Sequence, residues 1–234
     1  MIPISDDNPV RLTPVITWTI MGLCLLAYFW ELSLGEKVES TLGVLGFTPA
    51  SLAHTLVPPQ GYVTLPVWTT VLTSMFLHGG ILHIAGNMLY LWIFGNNVED
   101  AMGHVRFTLF YLISGVAAAL TLAAIDPASI VPMIGASGAI SGVLAAYVLL
   151  YPRARVTVVV PLGIIFYPVK ISATWVVGFW FVVQILSATL SSSGQPGVAW
   201  WAHVGGFVAG AILTPLFKSP HVPLFGDVRR GPWG

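Results

Sequence analysis

The sequence predicts an all-α polytopic membrane protein, a bundle of six transmembrane helices with a large structured first loop. Three observations predict it. Of 234 residues, 56% are hydrophobic and only 8% charged, with a mean hydropathy of +0.86. A soluble domain carries about 25% charged residues, so this chain could not cover a water-facing surface. Long apolar runs recur six times between charged or Pro/Gly-rich breaks. With six crossings, nearly all basic residues fall on one side of the bilayer.

The spans are expected at roughly 14–33, 82–98, 104–125, 137–151, 169–190 and 199–217. Together with the loops they form one membrane domain over 1–217. Residues 218–234 are a short Pro/Gly-rich cytoplasmic tail, expected to be a mobile extension. The first loop, about 34–81, is too long and mixed for a turn. It holds Glu36, Lys37 and Glu39 beside the apolar "TPASLAHTLVPP", and is expected to be structured and partly embedded. The first span follows Asp6, Asp7 and Arg11, and no A-x-A site comes after it. It is expected to be retained rather than cleaved.

Arg11, Arg106, Arg153, Arg155, Lys170, Lys218, Arg229 and Arg230 share the N-terminal side, and only Lys37 lies opposite. The positive-inside rule makes both termini cytoplasmic, and a bacterial inner membrane is the expected location. A net charge of zero argues against nucleic acid as a partner. The lone Cys24 in an apolar run offers neither a disulfide framework nor an activated thiolate.

The fourth span opens within "MIGASGAISG" and stops at "YPRAR". From Ser137 to Tyr151 a helix rises about 22 Å, against a hydrocarbon core of about 30 Å. Ser137 therefore lies at a helix N-terminus below the outer surface. The loop "DPASIVPM" must dip to reach it, which is tolerated only against protein or a water-filled cavity. Three more polar side chains fall near the outer ends of even-numbered spans: His83 and Asn87 in the second and His203 in the sixth. His83 and Asn87, at i and i+4, share a helix face. His203, Gly206 and Gly210 share another, and Ser137, Ser141 and Ala145 a third. Packing the last two faces together would set Ser137 beside His203, the geometry of a nucleophile and its general base.

Each residue alone also has a structural reading. Small residues at such spacing pack helices, a serine can cap its helix, and a histidine can bond a carbonyl. Four groups at one depth favour function. Other chemistries lack their residues. No H-E-x-x-H occurs, no paired carboxylates or mid-span acids are present, and a metal site from His78, His83 and His203 would lack any acid or thiolate. Serine chemistry remains.

These residues resemble the rhomboid family of intramembrane serine proteases over roughly 68–215. "GASGAISG" is similar to its G-x-S-G nucleophile motif, and "AHVGGFVAG" to its A-H-x-x-G-x-x-x-G sixth helix. "HGGILHIAGNM" is similar to its H-x-x-x-N element, and "FGNNVEDAMGHVRFTLFYLISG" to the segment joining its second and third helices. The resemblance implies a rhomboid-like six-helix core, a Ser–His dyad without an acid, and no cofactor or metal. Two positions depart. The Trp-Arg often found in the first loop is replaced by Thr69-Thr70 after Trp68, and the often aromatic position four after the nucleophile is Ser141. A hydrogen bond, or Trp200 or Trp201, would then hold His203.

In this reading Ser137 attacks, His203 is the base, and Asn87, His83 and the Ser137 backbone N–H hold the oxyanion. "SSSGQPG" at 191–197 fits a cap over the site, and Trp175, Phe179 and Trp180 fit a lateral gate or lipid-facing bulk. The expected partners are single-span membrane protein substrates within the lipid bilayer. The alternative is a non-catalytic rhomboid-like protein that binds membrane clients.

Overall fold

The apolar runs form helices in the computed structural model, which describes residues 2–53, 55, 64–163, 165–191 and 198–226. Strand β1 (Ile2–Asp6) leads into α1 (Val15–Ser33). The first loop folds as a 3-10 turn followed by α2 (Val38–Leu45), α3 (Pro49–Leu52) and α4 (Val67–Thr73). Then α5 (Ile81–Tyr90) continues through a π-helical turn at Leu91–Gly95 into α6 (Asn96–Met102). The chain reverses at Gly103, whose φ of +79° suits glycine, and enters α7 (His104–Ile125). The remaining elements are α8 (Ser137–Leu150), β2 (Arg155–Leu162), β3 (Ile165–Ser172), α9 (Ala173–Leu190) and α10 (Trp200–Phe217).

Among the described residues, α1, α7, α9 and α10 are each long and apolar enough to cross a membrane. Val67–Phe76 and Ile81–Met102 qualify together as a pair bent by 83°. Exposed apolar side chains such as Leu26, Phe29, Leu190, Ile212 and Leu216 give these helices a lipid-facing surface. The protein is thus a helical, multi-pass integral membrane protein. Each of the six expected spans overlaps one helical run.

Three expectations change in detail. Residues 169–172 do not begin the fifth helix. They end β3, in an antiparallel sheet of order β1-β2-β3. The β-branched run of "RVTVVV" and the turn at Gly163, with φ +65°, are the local cause. The bundle is therefore helical with one small sheet at its base, the end where α1 begins and α10 finishes. The tail is not free along its described part. Ser219 N donates to Ala101 O at 2.8 Å, Val222 is buried, and Phe225 N donates to Leu149 O at 2.7 Å. Residues 227–234 lie outside the described residues.

The third change concerns the contact between α8 and α10. Helix α8 is buried along most of its length, as a helix apolar all round should be. The expected face of Ser137, Ser141 and Ala145 is not the one that meets α10 most closely. The backbones meet one position over, at Gly138 and Gly142 against Gly206 and Gly210. A Cβ on Gly206 would run into Gly138 O, and one on Gly210 into the Gly142 backbone. Only a pair of surfaces without side chains can close this far.

The base is held by carboxylates. Buried Glu99 accepts Ile16 N at 2.9 Å, Thr17 N at 2.8 Å and Thr17 Oγ1 at 2.6 Å, and it pairs with His104 Nδ1 at 2.6 Å. These bonds satisfy N–H groups that the first turn of α1 leaves open, where the helix dipole favours negative charge. Asp6 Oδ2 accepts the Tyr147 hydroxyl at 2.5 Å and Asn97 Nδ2 at 3.0 Å, which joins β1 to α8 and α6.

Two outcomes follow. Gly210→Ala is expected to destabilise the protein by about 1–3 kcal/mol, because a backbone must move to admit the methyl group. Thermal melting in detergent would register this, and an unchanged melting temperature would contradict the contact. For Asp6, burial pushes the carboxyl up from 3.8 to about 6, against the lowering effect of the Tyr147 bond. The folded state therefore binds the proton more tightly, and this contribution is complete below pH 3.8 and lost as pH rises through about 6. Asp6→Asn should flatten the fall in melting temperature across that window.

Candidate active site

Two irregular segments bring the site together. The loop before α8 bridges the first loop, with Phe47 N donating to Met133 O at 3.0 Å and Met133 N to Phe47 O at 2.7 Å. Ala50 N donates to Ser129 O at 3.0 Å, and Gly135 N to Ser74 O at 2.8 Å. These bonds satisfy loop backbone and the open first turn of α3, as burial in a bundle requires. They also explain how the first loop is anchored without the Trp-Arg pair. Trp68 is exposed, while Thr73 Oγ1 donates to Leu45 O at 2.6 Å.

Ser137 opens α8, but its hydroxyl does not cap the helix. The half-buried side chain lies 2.7 Å from His203 Nε2, near the start of α10. The structure thus brings together the two residues that the small-residue faces suggested. On the other edge of the ring, His203 Nδ1 lies 2.7 Å from Gln184 Oε1 on α9. Trp180 tilts over the ring at 34°, with centroids 6.0 Å apart, and Trp200 meets it edge-on, also at 6.0 Å. Ser141 makes its hydrogen bond elsewhere than the ring. Its hydroxyl donates to Ser137 O at 2.6 Å.

His83 and Asn87 sit on α5 beside Gly135. An ideal Cβ on Gly135 would lie 2.6 Å from His83 Nε2 and 3.6 Å from Asn87 Nδ2, and the φ of +119° there suits glycine alone. Gly79 N donates to His83 Nδ1 at 3.4 Å, a long bond that leaves the proton on Nε2. Asn87 Nδ2 is buried without a hydrogen-bond partner. Two donors therefore meet two residues before Ser137, and one of them is idle. A buried idle donor costs about 1–3 kcal/mol, so it calls for an explanation such as an incoming oxygen. Below them, Glu31 accepts His78 N at 3.2 Å, and His78 meets His83 edge-on with centroids 5.2 Å apart.

Among the described residues, no group of three or more His, Cys, Asp or Glu is placed to hold a metal ion. Trp175 and Phe179 point outward, while Trp180 packs on His203 and Phe207. Most of the expected cap, 192–197, lies outside the described residues. Gln184 is the contact that sequence reasoning missed. Its signal was a lone amide in the apolar helix "ATWVVGFWFVVQILSATL", since polar groups inside spans usually serve function.

A family model described as the Rhomboid domain matches residues 66–220, well over half of the chain. The chain belongs to the rhomboid family. Rhomboid protease GluP of Bacillus subtilis is 31% identical over 216 residues, covering 91% of this chain and 37% of that protein. Rhomboid protease AarA of Providencia stuartii is 26% identical over 220 residues, covering 88% of this chain and 74% of AarA. Inactive rhomboid protein 1 of Drosophila melanogaster is 33% identical over 120 residues, covering 51% of this chain and 8% of that protein. The rhomboid chain thus spans little more than a third of the length of its Bacillus relative. The named proteases place it in a family of intramembrane proteases that also has a member named inactive.

If the α5 donors serve a rhomboid active site, Asn87→Ala should lower turnover of a transmembrane reporter by about 10²–10³-fold, the cost of losing one oxyanion donor. Gly135→Ala should act in the same direction by pressing a methyl group onto His83. Full turnover in both variants would make the α5 pair structural.

Proposed function

We propose that the protein is an intramembrane serine endopeptidase. It cleaves transmembrane segments of single-span membrane proteins near the outer face, from a bacterial inner membrane with both its termini cytoplasmic. The reading is carried by the 2.7 Å contact of Ser137 Oγ with His203 Nε2 beside the partnerless Asn87 amide nitrogen. The one-sided distribution of Lys and Arg supports the orientation.

Each step has a residue. Ser137 Oγ attacks the scissile carbonyl carbon while His203 Nε2 takes the hydroxyl proton. The carbonyl oxygen becomes an oxyanion, which accepts bonds from Asn87 Nδ2, His83 Nε2–H and the Ser137 backbone N–H. The positive end of the α8 dipole lies at the same place. His203 then gives its proton to the leaving nitrogen, the C–N bond breaks, and an acyl-serine remains. Water loses a proton to His203 and attacks the ester, which releases the new carboxyl terminus and restores Ser137.

A substrate helix must unwind first, because its carbonyls are bonded along the helix. Ser137 heads a helix of 14 residues, about 21 Å long, so cutting near the outer end of a span requires the least unwinding. Helix breakers there ease unwinding by about 1 kcal/mol for Gly and about 3 kcal/mol for Pro.

In proteoliposomes, Ser137→Ala and His203→Ala should each abolish cleavage of a single-span reporter, and a fluorophosphonate should label the wild type at Ser137 only. Mass spectrometry should map the cut near the reporter's outer end, with an all-Leu span cut far more slowly. Cleavage by Ser137→Ala at wild-type rate would sink the mechanism. A cut at the cytoplasmic end would sink the orientation. The relative named inactive supports a second reading, client binding without cleavage, which predicts neither labelling nor cut.

A further inference from the structure

We infer that Gln184 is a positioning residue that fixes the tautomer and plane of His203, so that the dyad works as a Ser137–His203–Gln184 relay with an amide where triads place a carboxylate. The inference rests on the serine protease reading, and it explains how a base with no acidic partner is aimed.

Gln184 Nε2 lies 3.2 Å from Trp180 O, one helical turn earlier on α9. A carbonyl oxygen only accepts, so the amide nitrogen must face it. That choice sets the other end of the same amide. The oxygen, Oε1, points at His203 Nδ1 across 2.7 Å. An acceptor at that distance requires a proton on Nδ1, because two lone pairs would repel. A neutral imidazole carries one proton. Nε2 is therefore left with its lone pair directed at the Ser137 hydroxyl 2.7 Å away, the form a general base must have.

The opposite tautomer would fail twice. It would set the Nδ1 lone pair against Oε1, and it would point an N–H at Ser137 Oγ where a base is needed. Burial enlarges the difference. Gln184 is 4% exposed and His203 7%, so no solvent replaces a lost bond. The Trp180 and Trp200 rings press on the imidazole, but an aromatic face carries no information about which nitrogen holds the proton. Ser141 is occupied with the Ser137 carbonyl. When His203 takes the serine proton, the Nδ1–H···Oε1 bond becomes charge-assisted and shortens. The amide thus stabilises the imidazolium without taking its proton, as an asparagine does in Cys–His–Asn proteases.

The test uses the full-length protein in lipid bilayers and the variant Gln184→Met, an unbranched apolar side chain of similar length. The variant is expected to lower kcat on the reporter about 10- to 100-fold with KM unchanged, since it leaves the substrate's contacts alone. Nitrogen-15 NMR of labelled histidine, with the His203 signals assigned by their loss in His203→Ala, is expected to show Nδ1 protonated and Nε2 bare in the wild type at neutral pH. A mixture of tautomers is expected in Gln184→Met. A variant kcat within about twofold of wild type would overturn the inference, as would an unchanged tautomer population. If Gln184→Met does not fold, the wild-type spectrum decides, and a proton on Nε2 refutes the relay. The protease reading fails separately, through a Ser137→Ala enzyme that still cleaves or a wild type that never does.

Discussion

The backbone contact between α8 and α10 is the constraint on which the rest of the structure depends. Gly138 and Gly142 lie against Gly206 and Gly210 with no room for a methyl group. With side chains between them, two helices stand about 8–10 Å apart at their axes. The glycines remove that spacer. Ser137 and His203 lie at the upper ends of the two helices, 2.7 Å apart, and the glycine contacts begin beside them at Gly138 and continue down the pair.

A bundle this apolar can keep few polar groups, and the buried carboxylates inside it are each paired. Glu99 completes the first turn of α1, Glu31 holds the backbone at His78, and Asp6 ties β1 to Tyr147 on α8. The loop before α8 and the first loop satisfy each other through the Phe47–Met133 bridge. Helix α8 is thereby held at both ends, by Asp6 at its base and by bridged loops at its head. Among the described residues the idle buried atoms include Asn87 Nδ2, His78 Nε2, Tyr111 Oη and Ser114 Oγ. His78 Nε2 is idle as well, but of these two nitrogens Asn87 Nδ2 is the one that lies against Gly135, two residues before Ser137. At Asn87 the acceptor has yet to arrive, which is the arrangement expected where charge develops during a reaction.

Membership of the rhomboid family and the local geometry bear on different questions. Family membership rests on motifs spread over 66–220 and is shared with proteases and with a protein named inactive. Four side chains and the glycine between them carry the catalytic reading. The departure at Ser141 shows why the distinction matters. A small hydroxyl in place of a ring leaves the imidazole without a stacking partner on α8. Here that face is bounded by Trp180 and Trp200, and the ring edge by Gln184. The same task is met from α9 and from the head of α10.

By itself the sequence determined the membrane class, the six helical runs and the residues able to carry serine chemistry. Those depend on hydropathy, on breaks between apolar runs and on rare polar residues inside them, all of which are local. It also held a readable hairpin at 155–172, where β-branched residues flank a glycine turn, but an apolar strand and the start of an apolar helix look alike over so few residues. Tertiary structure alone decided which face of α8 meets α10, because periodicity cannot separate Ser137–Ser141–Ala145 from the glycine face one residue away. It alone showed that 219–226 pack back on α6 and α8, since a Pro- and Gly-rich segment carries no periodic signal. And it alone joined Gln184 to His203, 19 residues apart on different helices. A lone glutamine in a span announces that it needs a partner, but only the packing of α9 on α10 determines which partner it finds.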